Sequence, residues 1–139
     1  MIGTATAVTP LLAHPATGPG YLVSYGGAAF PDLVFVLQDE GVTIDLVGNT
    51  DIKKHVTSES FETLPDVPVS SFDAVFPTGP TSILGANLPN KAHGSMCHQN
   101  LKMPIRLTGQ NGIIITETIK LKVTGCPKTK TAHKSSTRK

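Results

Sequence analysis

The chain has 139 residues, 39% of them hydrophobic and 16% charged, with 12 Lys and Arg against 10 Asp and Glu, two cysteines and no Trp. That length allows one domain, or one domain with tails, and is enough to bury a real core. No apolar run approaches the ~20 residues of a membrane-spanning helix, and abundant Thr, Val, Ile, Gly and Pro favour strands and turns over helices.

Thr4 to Val8 alternates and predicts a first strand ending at Pro10. Leu11 to Gly20 holds Pro15, Gly18, Pro19 and Gly20 and reads as a loop. Tyr21 to Tyr25 is a short strand closed by Gly26-Gly27. Phe30-Pro31-Asp32 turns into Leu33-Val34-Phe35-Val36-Leu37, an uninterrupted apolar run that suits a central strand buried on both faces. Gln38 to Gly41 is a hairpin loop, and Val42 to Leu46 returns with its even positions inward. Asp51 to Glu62 admits a helical turn or a meandering edge strand, and strand with loop is the preferred reading. Ser70 to Phe76 is a strand with Phe72, Ala74 and Phe76 on one face, Ser82-Ile83-Leu84 a short strand, and Gly85 to Gly94 a polar loop.

The clearest stretch runs from Cys97 to Cys126. Leu101, Met103, Ile105 and Leu107 alternate with polar residues or Pro, and so do Ile113, Ile115, Ile119, Leu121 and Val123. Period two marks strands with one buried face. Gly109-Gln110-Asn111-Gly112 between them is a hairpin signal. A two-residue turn at Asn111-Gly112 would set Leu107 against Thr116. A three-residue loop, Gln110-Asn111-Gly112, sets Leu107 against Ile115, Met103 against Ile119 and Leu101 against Leu121. Side-chain parity therefore selects the three-residue loop, with Gly112 left-handed. Glu117 is the misfit, a carboxylate in the apolar row opposite Ile105. Pro104 has no N–H to donate and belongs on an edge strand or bulge.

This register brings Cys97 within one residue of Cys126 and within reach of a bridge across the open end of the hairpin. The pair reads as one structural disulfide and so as an oxidising compartment, with two reduced buried thiols as the competing reading. Five of the 12 bases, Lys128, Lys130, Lys134, Arg138 and Lys139, lie in an acid-free tail after Cys126. The body keeps seven bases against ten acids and is mildly acidic. The tail has no apolar residues to fold on and reads as disordered; it is the one candidate interaction element, suited to an anionic wall polymer, nucleic acid or acidic lipid, with a merely solubilising terminus as the competing reading. It lacks interleaved aromatics, so base stacking is not indicated and nucleic acid is the less favoured of these partners. The opening Met1-Ile2-Gly3-Thr4 has neither a basic region nor an apolar core of a signal peptide. An exported form would then be a mature piece or the last module of a longer precursor.

Other chemistry weighs less. Cys97-His98 with His93 falls short of the three or four ligands of a metal centre once Cys126 is spent on a bridge. His14 and His55 have no partner by spacing and read as surface residues. Asp39-Glu40, Asp45 and Asn49-Thr50-Asp51 are acidic groups near loops without the Asp-x-Asp-x-Asp-Gly run of a calcium loop. Asp32, Glu40, Asp66 and Glu117 could be assembled into carboxylate pairs for glycoside hydrolysis, but nothing in their spacing selects a pair. Ser24 lacks the flanking glycines of a nucleophile elbow. No catalytic residue, metal or cofactor is expected.

The chain carries the blocks Gly-Gly-Ala-Ala-Phe-Pro-Asp-Leu (26–33), Val-Leu-Gln (36–38), Gly-Asn-Thr-Asp-Ile-Lys-Lys (48–54), Pro-Asp-Val-Pro-Val-Ser-Ser-Phe (65–72), Ala-Asn-Leu-Pro (86–89), Met-Pro-Ile-Arg-Leu-Thr-Gly-Gln-Asn-Gly (103–112) and Lys-Val-Thr-Gly-Cys (122–126). Together they resemble a recurrent C-terminal module of uncharacterised secreted or cell-surface proteins of actinobacteria. The resemblance covers about Tyr21 to Cys126 and extends to a Lys/His-rich tail; His98 stands where that module often has Gly or Thr. It implies an extracellular or cell-surface setting and brings no activity, ligand or catalytic residue.

The expected architecture is an all-β, mainly antiparallel β-sandwich, immunoglobulin-like or similar, over residues 4–126, with a disordered basic tail over 127–139. The expected function is a non-enzymatic module of an exported or cell-surface protein, a spacer or an adhesive or binding domain, its tail touching anionic envelope polymer. Two other classes stay open: a small hydrolytic or carbohydrate-active enzyme with its site in the sandwich loops, and tail-mediated binding of anionic polymer or nucleic acid.

Overall fold

A computed structural model describes residues 1–54, 56–79, 82–83, 85–86 and 88–127. The predicted tail bases Lys128, Lys130, Lys134, Arg138 and Lys139 lie outside the described residues. The fold is all-β and antiparallel, sandwich-like in class, with eight strands and one short 3-10 turn among the described residues. Two compact units divide the chain, Met1–Gly85 and Ala86–Lys139.

The first unit is one sheet. Its strands are β1 (Gly3–Val8), β2 (Ala16–Val23), β3 (Asp32–Asp39), β4 (Val42–Lys53), β5 (Val56–Ser60) and β6 (Ser71–Val75), in the order β5-β4-β3-β2-β1-β6. Cross-strand partners share a face, so the register defines the inner surface. Ala5 faces Gly18 and Ala74, Ala7 faces Ala16 and Phe72, Gly20 faces Phe35, and Phe35 faces Leu46. The middle of this surface is small and its flanks are large. Leu33, Phe35 and Leu37 cross the concavity left by Ala5, Ala7 and Ala16 to form the core, with Leu46 beside them.

The aromatic rings show how far the sheet curls. Phe35 on β3 meets Phe72 on β6 edge-on, with centroids 5.8 Å apart, and Phe76 at 6.1 Å. Strands β3 and β6 are three ladder steps apart, roughly 14 Å in a flat sheet at ~4.8 Å per step. Such contacts require the sheet to roll toward a half-barrel. Gly20 permits it, since a Cβ there would lie 2.8 Å from the Phe35 ring.

Two expectations need correction. The Leu11–Gly20 loop is a loop only to Pro15, because β2 begins at Ala16 and runs through Gly18-Pro19-Gly20. Pairing with β3 holds at Thr17↔Gln38 and resumes at Gly20↔Phe35, while β1 pairs with Gly18 and Pro19 throughout. Proline thus sits inside the sheet where one of the two ladders is interrupted. Of the short strand expected at Ser82-Ile83-Leu84, Ser82 and Ile83 are irregular, and Leu84 lies outside the described residues.

The strand reading of Asp51–Glu62 holds. Strand β4 pairs with β3 over Val42–Gly48 and with β5 over Asn49–Lys53. The handover falls at Gly48, where a Cβ would lie 2.7 Å from the Phe61 ring.

In the second unit, a 3-10 turn (Asn90–Ala92) precedes the ribbon of β7 (Lys102–Thr108) and β8 (Ile114–Lys120). Leu107 pairs with Ile115, Ile105 with Glu117 and Met103 with Ile119, as parity predicts. Leu121 extends the ladder by donating its N–H to the Leu101 carbonyl at 3.0 Å. The loop is Gln110-Asn111-Gly112, closed by Gly109 N–H to Ile113 O at 2.8 Å, with Gly112 at φ 79°. The apolar row does not become a buried face. Met103, Leu107, Ile115 and Ile119 remain 42 to 52% exposed, because a two-stranded ribbon has no second layer of its own.

Candidate functional site

Cys97 and Cys126 form a disulfide, with Cα atoms 5.6 Å apart and a sequence separation of 29. The bond closes the open end of the β7–β8 ribbon. Cys97 donates its N–H to Ser95 Oγ at 3.2 Å, and Gln99 Nε2 donates to the Cys97 carbonyl at 3.2 Å. Closing a loop of this length stabilises the folded chain by about 3–4 kcal/mol in the chain-entropy description. His98 lies beside the bond, its Nε2 3.4 Å from the Pro127 carbonyl. His93 caps the 3-10 turn in a left-handed conformation at φ 47°. Neither histidine is brought into a cluster of three metal-ligating groups among the described residues.

A second arrangement joins β3, β4 and β5. The Thr50 hydroxyl lies 2.7 Å from the Pro31 carbonyl oxygen, and 2.9 and 3.0 Å from the two Glu59 carboxyl oxygens. Asn49 Nδ2 donates to Asp32 Oδ1 at 3.3 Å on the same edge. Burial pushes the Glu59 carboxyl above its ordinary range; the Thr50 hydroxyl pulls it partly back, and the Asp32 charge adds to the rise. A hydroxyl carries one proton. When Thr50 donates it to Pro31, Glu59 meets only oxygen lone pairs, and a protonated Glu59 completes the chain by donating to Thr50 Oγ1.

Glu59 escapes a reading of the sequence alone. It meets Thr50 through the β4–β5 register, Thr50↔Glu59 about the turn that follows Lys53. The sequence between Lys53 and Val56 holds no Gly, Asn or Asp to announce a hairpin; Lys54 is a turn residue, and His55 lies outside the described residues.

The acidic groups named from sequence have different neighbours. Asp32 is engaged by Asn49, Glu117 stands in the ribbon opposite Ile105, and Glu40 meets His14, whose Nδ1 is 3.4 Å from Glu40 Oε1. His14 therefore has a partner that spacing did not show. It comes from the β1–β2 connection, at the sheet end that also carries the β3–β4 turn. Glu40 and Gly41 form that two-residue turn, with φ of 49° and 79°. Both values are positive, the pattern of a type I′ hairpin.

No helix among the described residues is long and apolar enough to cross a membrane. A scan of family models and searches of curated proteins and solved structures find no match to this chain.

Proposed function

We propose that residues 4–126 form a non-enzymatic module of an exported or cell-surface protein, a spacer or an adhesive or binding domain, whose basic tail touches anionic envelope polymer. The observation that supports this reading is the Cys97–Cys126 disulfide. Stable structural disulfides belong to oxidising compartments, because cytosolic reductants keep thiols open. The resemblance of the 26–33, 48–54 and 103–112 blocks to a module of secreted actinobacterial proteins points the same way.

Cell fractionation with thiol trapping tests it. The endogenous protein should be found in the envelope or medium, and should take up no alkylating reagent under denaturing conditions until it is reduced. Recovery in the cytosol with both cysteines alkylated before reduction would overturn the proposal.

A further inference from the structure

We propose that His14, Asp39 and Glu40 form a binding site for a divalent first-row metal ion of the zinc type, which ties the β1–β2 connection to the β3–β4 turn. One imidazole nitrogen and two carboxylate oxygens, one from each residue, all lie within 4.8 Å of one another. The segments that supply them are 25 residues apart in sequence, His14 against Asp39, and the sheet brings them to the same end.

Three observations support a cation there. Zinc held tetrahedrally at ~2.0–2.1 Å from nitrogen and oxygen places neighbouring ligand atoms roughly 3.3–3.4 Å apart. His14 Nδ1 and Glu40 Oε1 stand at 3.4 Å. The second is independent of that pair: Asp39 Oδ2 is shielded from solvent and receives no hydrogen bond. A buried carboxylate oxygen without a donor is costly, and a cation supplies what the protein does not. The third is charge. Two carboxylates beside one imidazole offer a donor set that a dication suits.

The donor set selects the kind of ion. Calcium takes six to eight oxygens and magnesium keeps most of its waters, whereas imidazole with carboxylates suits zinc and its neighbours. Three protein ligands leave a fourth position for water or for a group on another molecule.

Calorimetric titration of the full chain with zinc, after chelator treatment, tests the site. One equivalent should bind and raise the melting temperature. His14→Ala and Asp39→Asn should each weaken binding at least tenfold, and His98→Ala should leave it unchanged. Glu40→Gln, at an exposed turn position, should also weaken binding while the metal-free melting temperature stays at the wild-type value, which separates ligand loss from misfolding. Absence of zinc binding, or binding that His14→Ala and Glu40→Gln leave intact, would overturn the assignment.

Discussion

At Thr50 a single hydroxyl proton stands between the Pro31 carbonyl and the Glu59 carboxylate. The sign of the pH effect follows from the raised Glu59 pKa. An acid whose folded-state pKa lies above its unfolded value binds its proton more tightly when folded. Its contribution is complete below the ordinary carboxylate range and is lost as pH rises through the folded value. Glu59→Gln supplies a permanent donor to Thr50 Oγ1. Melting temperatures of the variant and wild type should therefore converge at about pH 4 and diverge above it, with the variant the more stable. Asp32 is the charged group that acts on Glu59, and its carboxylate adds to the rise. Asp32→Asn brings the folded-state value nearer the unfolded one and should accordingly make the divergence smaller. A melting-temperature difference independent of pH would contradict the protonated chain.

Among the elements, the β7–β8 ribbon was the most legible, and the reason is parity. Only one loop length places Leu107 against Ile115 and Met103 against Ile119, and that loop puts Gly112 at φ 79°. A β-branched residue resists this region, so Gly112→Val should destabilise the ribbon by roughly 1–3 kcal/mol. Amide hydrogen exchange over Ile114–Lys120 should accelerate, which reports on the ribbon separately from the six-stranded sheet. Unchanged exchange would count against the loop. Strand β2 was less legible, because Gly18-Pro19-Gly20 carries the residues of a turn while β1 pairs straight along it. Strand β5 was hidden for the opposite reason: its turn has none of the residues that mark one.

On the scale of the whole molecule, charge separates body from tail. The body has seven bases against ten acids, and the tail alone makes the protein basic. An anionic polymer should therefore bind the intact chain at low salt and release it as salt rises. Deleting residues 128–139 should abolish that binding and leave the melting temperature unchanged. Binding that survives the deletion would place the contact on the body. The described core is built from a small inner row, Ala5, Ala7 and Ala16, under a large one, Leu33, Phe35 and Leu37. Alternation in the sequence marks which side chains share a face, and it does not say that β6 returns to pair with β1 and carries Phe72 to Phe35.

From the order of residues alone came the all-β class, the hairpin register and the cysteine pairing. Each rests on interactions close in sequence, where strand period and turn chemistry act directly. The tertiary structure decided the curl of the six-stranded sheet, the meeting of Thr50 with Glu59, and that of His14 with Asp39 and Glu40. It also left the ribbon's apolar row exposed. These depend on which strands become neighbours and which faces find a second layer, and long-range packing settles that through the combined shape of many side chains, with no local signature for a single strand to carry.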